Sequence, residues 1–140
     1  MAKLKQLNLK VTIKNVSEFT IPRISQLTLK TNQFNLTTKR YQESDIKKLS
    51  QDANYLVGCA QVEDKFGDNG ITGTFIVHKE NQKEWLLDTF LLSCRVMGRE
   101  VEKGILSYVI RKAKESGAQH MRAQFIPTQK NKPVEDFLPN

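Results

Sequence analysis

The spacing of apolar residues changes several times along the chain, and each change predicts a new element. Residues 7–13 alternate strictly between apolar and polar side chains, which predicts a strand with one buried face and one wet face. Thr20 then precedes a stretch with helical spacing and is predicted to cap it. Pro22 fits the first turn of this helix, where a backbone N–H needs no helical partner. The predicted inner stripe is Ile21, Ile24, Leu27 and Thr28.

The middle of the chain predicts a second short helix and three consecutive strands. Ser44 is predicted to cap the helix. Residues 55–62 and 71–78 have the pattern of a hairpin, since the glycines in residues 64–70 suit a connecting turn. Residues 85–92 are so largely apolar that they predict a strand buried on both faces.

After residue 100 the apolar spacing becomes helical and remains so until Gly117. Residues 120–126 then predict another strand, and Pro133 begins a last short helix. This element order contains no second βαβ unit, so it predicts an α+β fold rather than a doubly wound one. A right-handed crossover would place residues 120–126 parallel to residues 85–92, in a mixed sheet that is otherwise mostly antiparallel.

The charge and its distribution along the sequence indicate which kinds of partner the chain could bind. The chain has 140 residues, enough for one domain with its own hydrophobic core, and a formal charge of +7. Its lysines are scattered, with no interleaved aromatic residues, which predicts a solvated surface and no nucleic-acid groove. A basic face would also suit an acidic carrier protein or a phosphorylated ligand.

The sequence lacks the features of membrane-spanning, secreted and zinc-binding proteins. No apolar run reaches the roughly 20 residues of a membrane helix, so no membrane contact is expected. The first residues have no signal-peptide pattern, so the expected location is the cytoplasm. Cys59 and Cys94 have no partner cysteines or histidines at zinc-binding spacing, and no metal site is predicted.

The turn at residues 93–100 is the strongest candidate for a site. A strand, a turn containing glycine and a helix together direct free backbone N–H groups at an anion. Cys94 lies in this turn beside Arg95, which predicts a stabilised thiolate able to carry an acyl group. The alternative is a buried filler residue. The residues predicted to bind acyl or phosphate groups are Arg95, Val96, Met97, Gly98, Arg99 and Glu100.

Further candidates lie outside the turn. Asp88 is a carboxylate within an apolar strand, where it needs a partner, either a base that it orients or an arginine. His120 and His78 are candidate bases, with a surface position as the alternative. Residues 31–40 are rich in amides and hydroxyls, which favours either an ordered functional loop or a plain solvent loop. Candidate substrate-binding groups, or turn-making ones, are Asn32, Asn35, Thr128 and Asn131.

The element order resembles the GNAT acyltransferase fold. Proteins of that family carry an Arg/Gln-x-x-Gly-x-Gly/Ala turn between their fourth strand and third helix, which cradles the pyrophosphate of coenzyme A. Arg95, Gly98 and Glu100 stand at its three fixed positions, and the first two match. The resemblance implies coenzyme A, or the phosphopantetheine of a carrier protein, as a ligand.

Five segments are also similar to the C-terminal half of FkbH-type proteins: residues 23–27, 30–35, 66–70, 93–99 and 127–131. Members of that family join a HAD-type phosphatase domain to a GNAT-like domain. They load a glyceryl group from 1,3-bisphosphoglycerate onto an acyl carrier protein, for polyketide extender units. The resemblance implies that residues 1–140 are a single GNAT-like domain, a fragment without the HAD-type domain and the last strands.

The implied function is therefore acyl transfer, with the acyl group held as a thioester on Cys94, Asp88 and His120 assisting, and an acyl carrier protein as partner. The alternatives are an acyl-CoA-dependent N-acetyltransferase and a non-catalytic module that docks a carrier protein. If the closing strands are missing, the sheet should end in an exposed edge beside residues 120–126, which favours a homodimer. Phe137 and Leu138 stand where many GNAT enzymes have a tyrosine that protonates the leaving thiolate.

We predict that Glu100 weakens the binding of acetyl-CoA. Its carboxylate stands where the family pattern has glycine or alanine, so it adds a negative charge near the pyrophosphate and blocks close approach of the backbone. Isothermal calorimetry should find weak or undetectable binding to the wild-type chain and tighter binding to Glu100→Gly. A sub-micromolar dissociation constant for the wild-type chain would contradict this.

Overall fold

The computed structural model describes residues 10–93, 96 and 101–137. Within them the chain forms a six-stranded sheet and four helices. The strands are β1 (Lys10–Asn15), β2 (Phe34–Asn35), β3 (Tyr55–Asp64), β4 (Gly67–Lys79), β5 (Glu84–Leu92) and β6 (His120–Ala123). The helices are α1 (Ile21–Lys30), α2 (Glu43–Ser50), α3 (Val101–Glu115) and α4 (Lys132–Phe137).

The sheet is mixed and mostly antiparallel, as predicted. Its order is β1-β3-β4-β5-β2, and β6 also pairs with β5. The β5–β6 pair is parallel, with Glu84 opposite His120 and Leu87 opposite Ala123. Strand β2 runs antiparallel to the far end of β5, with Phe34 opposite Leu92. One edge of β5 is therefore shared, by β6 at the start of the strand and by β2 at its end.

A β-bulge interrupts β5 at Asp88. Leu87 lies opposite Val77 and Thr89 opposite Ile76, so Asp88 is the extra residue without a partner on β4. It falls between the part of β5 that pairs with β6 and the part that pairs with β2. Bulges re-aim side chains and are common beside active sites.

Each face of the sheet buries its own hydrophobic cluster. The larger cluster contains residues of α3 and α4, such as Ile105 and Val134, packed with Phe75 and Phe90 of the sheet. The smaller one joins residues of α1 and α2 to β3 and β4. Burial of each such side chain stabilises the fold by about 1.5–3 kcal/mol, which explains why all four helices stay on the sheet.

The structure corrects several sequence predictions. The N-cap of α2 is Gln42, not Ser44, and its backbone N–H donates to Asp45 Oδ2 at 2.9 Å. Thr20 precedes α1 as predicted, but its hydroxyl bonds back to Ser17 instead of capping the helix. Strand β2 was not predicted, since two residues are too few to show a pattern.

The bounds of two strands also differ from those predicted. Strand β4 begins at Gly67, because Asp64 and Gly67 pair directly across a two-residue turn. Strand β6 ends at Ala123. Residues 7–9 of the predicted first strand lie outside the described residues.

Among the helices described here, none combines the length and apolar character needed to cross a membrane.

Gly58→Ala is expected to destabilise the fold by about 1–3 kcal/mol, the usual cost of overpacking a core. A Cβ at this position would lie 2.3 Å from Cζ of Phe75, whose ring is fully buried. The free energy of unfolding in urea measures the effect. Gly104→Ala in α3 is the matched control, because a Cβ there meets nothing within 4 Å. It should stabilise the chain by about 0.5–1 kcal/mol, and similar losses in both variants would contradict the steric explanation.

Candidate active site

Asp88 is the centre of a polar cluster on the β5 bulge. The residue is 7% exposed, and its two carboxylate oxygens have different partners. Oδ1 accepts from Lys39 Nζ at 2.5 Å. Oδ2 accepts from the Tyr41 hydroxyl at 2.6 Å and from the Thr89 hydroxyl at 3.0 Å. Lys39 Nζ also donates to Oε1 of Gln124 at 3.2 Å. The buried charge is thus met by one cation and two hydroxyl donors.

Residues 37–41 form a strap that is fixed to β5 at one end and to α1 at the other. The Thr37 hydroxyl donates to the Asp88 carbonyl at 3.0 Å. The Ser25 hydroxyl donates to the Tyr41 carbonyl at 2.7 Å, and the Tyr41 N–H donates to the Thr28 hydroxyl at 3.0 Å. Tyr41 therefore reaches Asp88 from a backbone held by two side chains of α1.

Burial raises the pKa of Tyr41 well above its ordinary value, and the hydrogen bond to Asp88 and the charge of that carboxylate raise it further. Thr89 opposes the shift. The phenol consequently remains protonated at every physiological pH and acts as a donor to Oδ2. The cluster thus brings a carboxylate, a phenol and an ammonium group within hydrogen-bonding distance, and these are side chains of the kind that general acid–base catalysis uses.

The segment at residues 31–40 is held by hydrogen bonds and a ring contact, which argues against a plain solvent loop; its functional role stays a prediction. Phe34 anchors it, with its ring centroid 5.4 Å from that of Phe90 in an edge-on contact. The Leu36 N–H donates to the Phe90 carbonyl, and the Leu36 carbonyl accepts from the Ile126 N–H at 2.9 Å. The segment thus lies between the end of β5 and the chain that follows β6, and fills the gap between them.

For two predicted substrate-binding residues the structure favours the turn-making alternative. Asn35 is fully buried, donates to the Thr31 carbonyl and accepts from the Thr38 N–H. Asn131 donates to the carbonyls of Asn35 and Ile126 and accepts from the Thr128 N–H.

The other two predicted substrate-binding residues differ. Thr128 is exposed, and its hydroxyl accepts from the backbone N–H groups of Lys130 and Asn131. Asn32 is half-buried and lines a cleft of about 400 Å³. Its amide is also bonded within the protein, since Oδ1 accepts from Arg40 Nη2 at 2.5 Å and Nδ2 donates to the Lys30 carbonyl at 3.4 Å.

The two candidate histidines are not brought to Asp88. His120 is exposed and pairs with Glu84 at the start of β5, whereas the predicted turn begins after the end of that strand. Eight residue steps of β5, about 26 Å, separate Glu84 from Leu92, and four steps, about 13 Å, separate Glu84 from Asp88. His78 stacks on Tyr55 with ring centroids 4.6 Å apart and pairs with Leu86, near the same end of β5 as His120.

Of the residues predicted to bind acyl or phosphate groups, the structure describes only Val96. Val96 is fully buried, and its N–H donates to the Ser93 carbonyl at 3.1 Å. The remaining predicted residues, Cys94, Arg95, Met97, Gly98, Arg99 and Glu100, lie outside the described residues. Their assigned roles stay predictions.

The sequence analysis missed the groups that surround Asp88: Lys39, Tyr41, Thr89 and Gln124. One signal was available, since a carboxylate in an apolar strand requires compensation. The expected partners were a base or an arginine, and the structure supplies a lysine and a phenol instead. Nothing in the local pattern indicates that residues nearly 50 positions earlier provide them.

Comparisons with known proteins agree with this architecture. No protein-family model matches the chain, and no curated protein matches it. Among solved structures, it is similar to a ribosomal-protein-alanine N-acetyltransferase from Brucella melitensis (TM-score 0.70, 14% identity, 92% of this chain and 89% of that one). It is also similar to an aminoglycoside acetyltransferase from an uncultured soil metagenomic sample, in complex with trehalose (TM-score 0.64, 16% identity, 91% and 84%).

A third neighbour, Rv2747 from Mycobacterium tuberculosis, was solved in complex with CoA and NLQ (TM-score 0.67, 14% identity, 84% of this chain and 66% of that one). The chain has the GNAT acetyltransferase fold, as the sequence predicted. At identities of this size the likeness concerns the fold. The similarity to FkbH-type proteins continues to rest on the sequence motifs alone.

The two cysteines are expected to differ in reactivity. Cys59 is fully buried within the smaller cluster, and burial raises the pKa of its thiol, with a smaller opposing effect from Lys14. Cys94 is predicted to be a stabilised thiolate. Labelling of the folded chain with iodoacetamide at pH 7, followed by peptide mapping, should modify Cys94 first, with a rate midpoint below the roughly 8.5 of a free thiol. Equal rates, or faster labelling of Cys59, would remove Cys94 as a nucleophile.

Proposed function

We propose that this chain is an acyltransferase that moves an acyl group from a coenzyme A thioester to an amine, with Asp88 as the general base. The observation that carries the proposal is the Asp88 carboxylate on the β5 bulge, buried and hydrogen-bonded to Tyr41 and Lys39. An amine must lose a proton as it attacks a carbonyl carbon, and a positioned carboxylate can take that proton.

The fold supports this reaction class. The neighbours include acetyltransferases named for ribosomal-protein alanine or for aminoglycosides, and one neighbour was solved with CoA. For the present chain we infer an amine acceptor and a coenzyme A thioester donor from these likenesses. The turn that would hold the pyrophosphate is the one predicted at Arg95 to Glu100.

The proposed step conserves atoms and charge. The thioester supplies an activated carbonyl carbon. The amine nitrogen forms a new C–N bond to it, the C–S bond breaks, and its electron pair leaves with the sulfur. The proton lost by the amine passes to the Asp88 carboxylate and is returned to the thiolate, which gives an amide and a free thiol.

The neighbours of Asp88 have separate tasks. Tyr41 and Thr89 both donate to Oδ2 and so fix the plane of the carboxylate. Lys39 donates to Oδ1 and compensates the buried charge, while its side chain remains 38% exposed. We assign Tyr41 and Lys39 as positioning residues.

A second candidate function follows from the five FkbH-like segments. In it Cys94 would carry a glyceryl group from an acyl phosphate to an acyl carrier protein, beside an N-terminal HAD-type domain, in the cytoplasm. A homodimer through the β6 edge belongs to the same proposal, whereas a non-catalytic module that only docks the carrier protein is a separate alternative. A mass increase on Cys94 after incubation with 1,3-bisphosphoglycerate would favour this function over amine acylation.

Asp88→Asn is expected to lower kcat/KM for amine acylation by about 10²–10⁴-fold, the usual contribution of a general base. The assay follows release of free thiol from acetyl-CoA over a panel of primary amines. Tyr41→Phe should lose about tenfold, as expected for one hydrogen bond to a charged group. Circular dichroism checks that both variants fold.

Asp136→Asn is the matched control for this experiment. Asp136 is an exposed carboxylate on α4 that pairs with Lys132 at 2.9 Å. The same change of charge and shape should leave the rate unaltered there. The proposal fails if Asp88→Asn retains wild-type activity, or if no amine is acylated by the wild-type chain.

A further inference from the structure

Lys39 is an amine held against the carboxylate that we assign as the general base. Its Nζ lies 2.5 Å from Oδ1 of Asp88 and 3.2 Å from Oε1 of Gln124, so two acceptors fix the direction of the ammonium group. The Lys39 side chain is nevertheless 38% exposed, whereas that of Asp88 is 9% exposed. The pair therefore combines a buried carboxylate with an amine-bearing side chain that a dissolved ligand can reach.

The backbone that carries Lys39 adopts an unfavourable conformation. Thr38 has a φ of 53°, in the left-handed region that a β-branched residue rarely enters. Its N–H donates to Oδ1 of Asn35 at 3.1 Å, which helps to hold it there. Strained residues of this kind persist only where their surroundings fix them, and they cluster at functional sites. The strained residue comes directly before the one that meets Asp88, which distinguishes Lys39 from a solvated surface lysine.

An ion pair elsewhere in the chain shows what is unusual about this one. Lys132 Nζ lies 2.9 Å from Oδ1 of Asp136, but the two side chains are 73% and 63% exposed. Water surrounds both groups there, as in most surface ion pairs. Asp88 has lost most of its water, and a general base must lie within hydrogen-bond reach of the proton that it takes. Lys39 meets this geometric requirement before any substrate binds.

We propose that Lys39 is itself an acyl acceptor, so that the chain acylates its own strap when a thioester is present. The inference rests on the proposed role of Asp88 as the general base. An amide on Lys39 carries no charge, so Asp88 keeps only the hydroxyl donors of Tyr41 and Thr89. Self-acylation thus removes the ion pair that holds the strap to β5, and it occupies the place where an external amine would meet the base.

Acylation removes two protons from the Lys39 ammonium group. The first passes to Oδ1 of Asp88, and rotation about the Cε–Nζ bond then turns the freed electron pair towards solvent. Nζ forms a C–N bond to the carbonyl carbon of the thioester, the C–S bond breaks, and its electron pair leaves with the sulfur. The second proton passes from Nζ to that thiolate. The products are an amide on Lys39, a free thiol and one proton, which Asp88 releases to water.

The test incubates the folded chain at pH 7 with S-acetyl-N-acetylcysteamine, a small acetyl thioester without a nucleotide, and in a second series with acetyl-CoA. Peptide mapping by mass spectrometry follows the acetyl group at each lysine over time. Lys39 is expected to be acetylated about 10²-fold faster than Lys48, the lower value for a general base. Acetylation governed by exposure alone would favour Lys48, an exposed lysine of α2.

Four controls separate this site from general lysine reactivity. Asp88→Asn should slow the acetylation of Lys39 by about 10²-fold and leave Lys48 unchanged. In the wild-type chain unfolded by urea, the advantage of Lys39 should disappear, and this control does not depend on the folding of a variant. Dilution should leave the rate constant of Lys39 unchanged, because the base and the amine belong to one chain. Lys132 should react no faster than Lys48, because its partner is exposed.

The proposal is overturned if Lys39 is acetylated no faster than Lys48, if Asp88→Asn leaves its rate unchanged, or if its advantage survives unfolding. A rate constant that falls on dilution also overturns it, since a second copy of the chain would then supply the base. Acylation of external amines with Lys39 unmodified removes this inference alone and leaves the proposed function. Modification of Lys39 without acylation of any external amine supports self-acylation and removes the proposed amine acceptor instead.

Discussion

The position of residues 37–41 against β5 depends on the ion pair between Asp88 and Lys39. A carboxylate removed from water is strongly unfavourable unless a cation and hydrogen-bond donors surround it. Asp88 has one cation and two hydroxyl donors, at distances of 2.5–3.0 Å. Loss of one partner from such a cluster leaves an uncompensated buried charge, which costs about 3–5 kcal/mol in other proteins. The strap at residues 37–41 is therefore held to β5 by electrostatics as well as by its backbone.

On the side of β5 away from β4, the neighbouring strand changes at the bulge of Asp88. Before it, β5 pairs with β6 in parallel; after it, the edge of β5 is taken by β2. The bulge offsets the register by one residue, which lets Leu87 and Phe90 both enter the larger core while Asp88 and Thr89 meet Tyr41. A single extra residue thus combines a continuous hydrophobic core with a polar site.

These features differ in how far the sequence could predict them. The strand at residues 85–92, its parallel neighbour and the helix between them follow from spacing alone, because each apolar run is long enough to show its period. It was also predictable that Asp88 needs a partner, because it is a carboxylate within an apolar strand. The identity of the partners was not, since Lys39 and Tyr41 lie 49 and 47 positions away in sequence. A bulge leaves no local signature either, because an apolar strand with one polar residue has the same pattern with or without it.

The asparagines illustrate a second limit of sequence reasoning. An amide in a polar segment can bind a ligand or a backbone group equally well, and only burial separates the two. Asn35 and Asn131 are almost fully buried and bind main-chain groups, while Asn32, three residues before Asn35, borders a cleft and also bonds to Arg40 and to the Lys30 carbonyl. Amide-rich segments therefore predict order more securely than they predict function.

The same geometry bears on how an acceptor would approach Asp88 in the proposed reaction. Residues 34–36 join the end of β5 to the chain after β6 through backbone hydrogen bonds, and Phe34 and Leu36 are buried beneath them. An extended ligand would have to displace this segment to pair with β5 beyond the bulge, at the cost of exposing both side chains, about 1.5–3 kcal/mol each. Lys39 and Tyr41, in contrast, are only half-buried and lie directly over the carboxylate. In the proposed reaction, an acceptor that approached past these two side chains would leave the core intact.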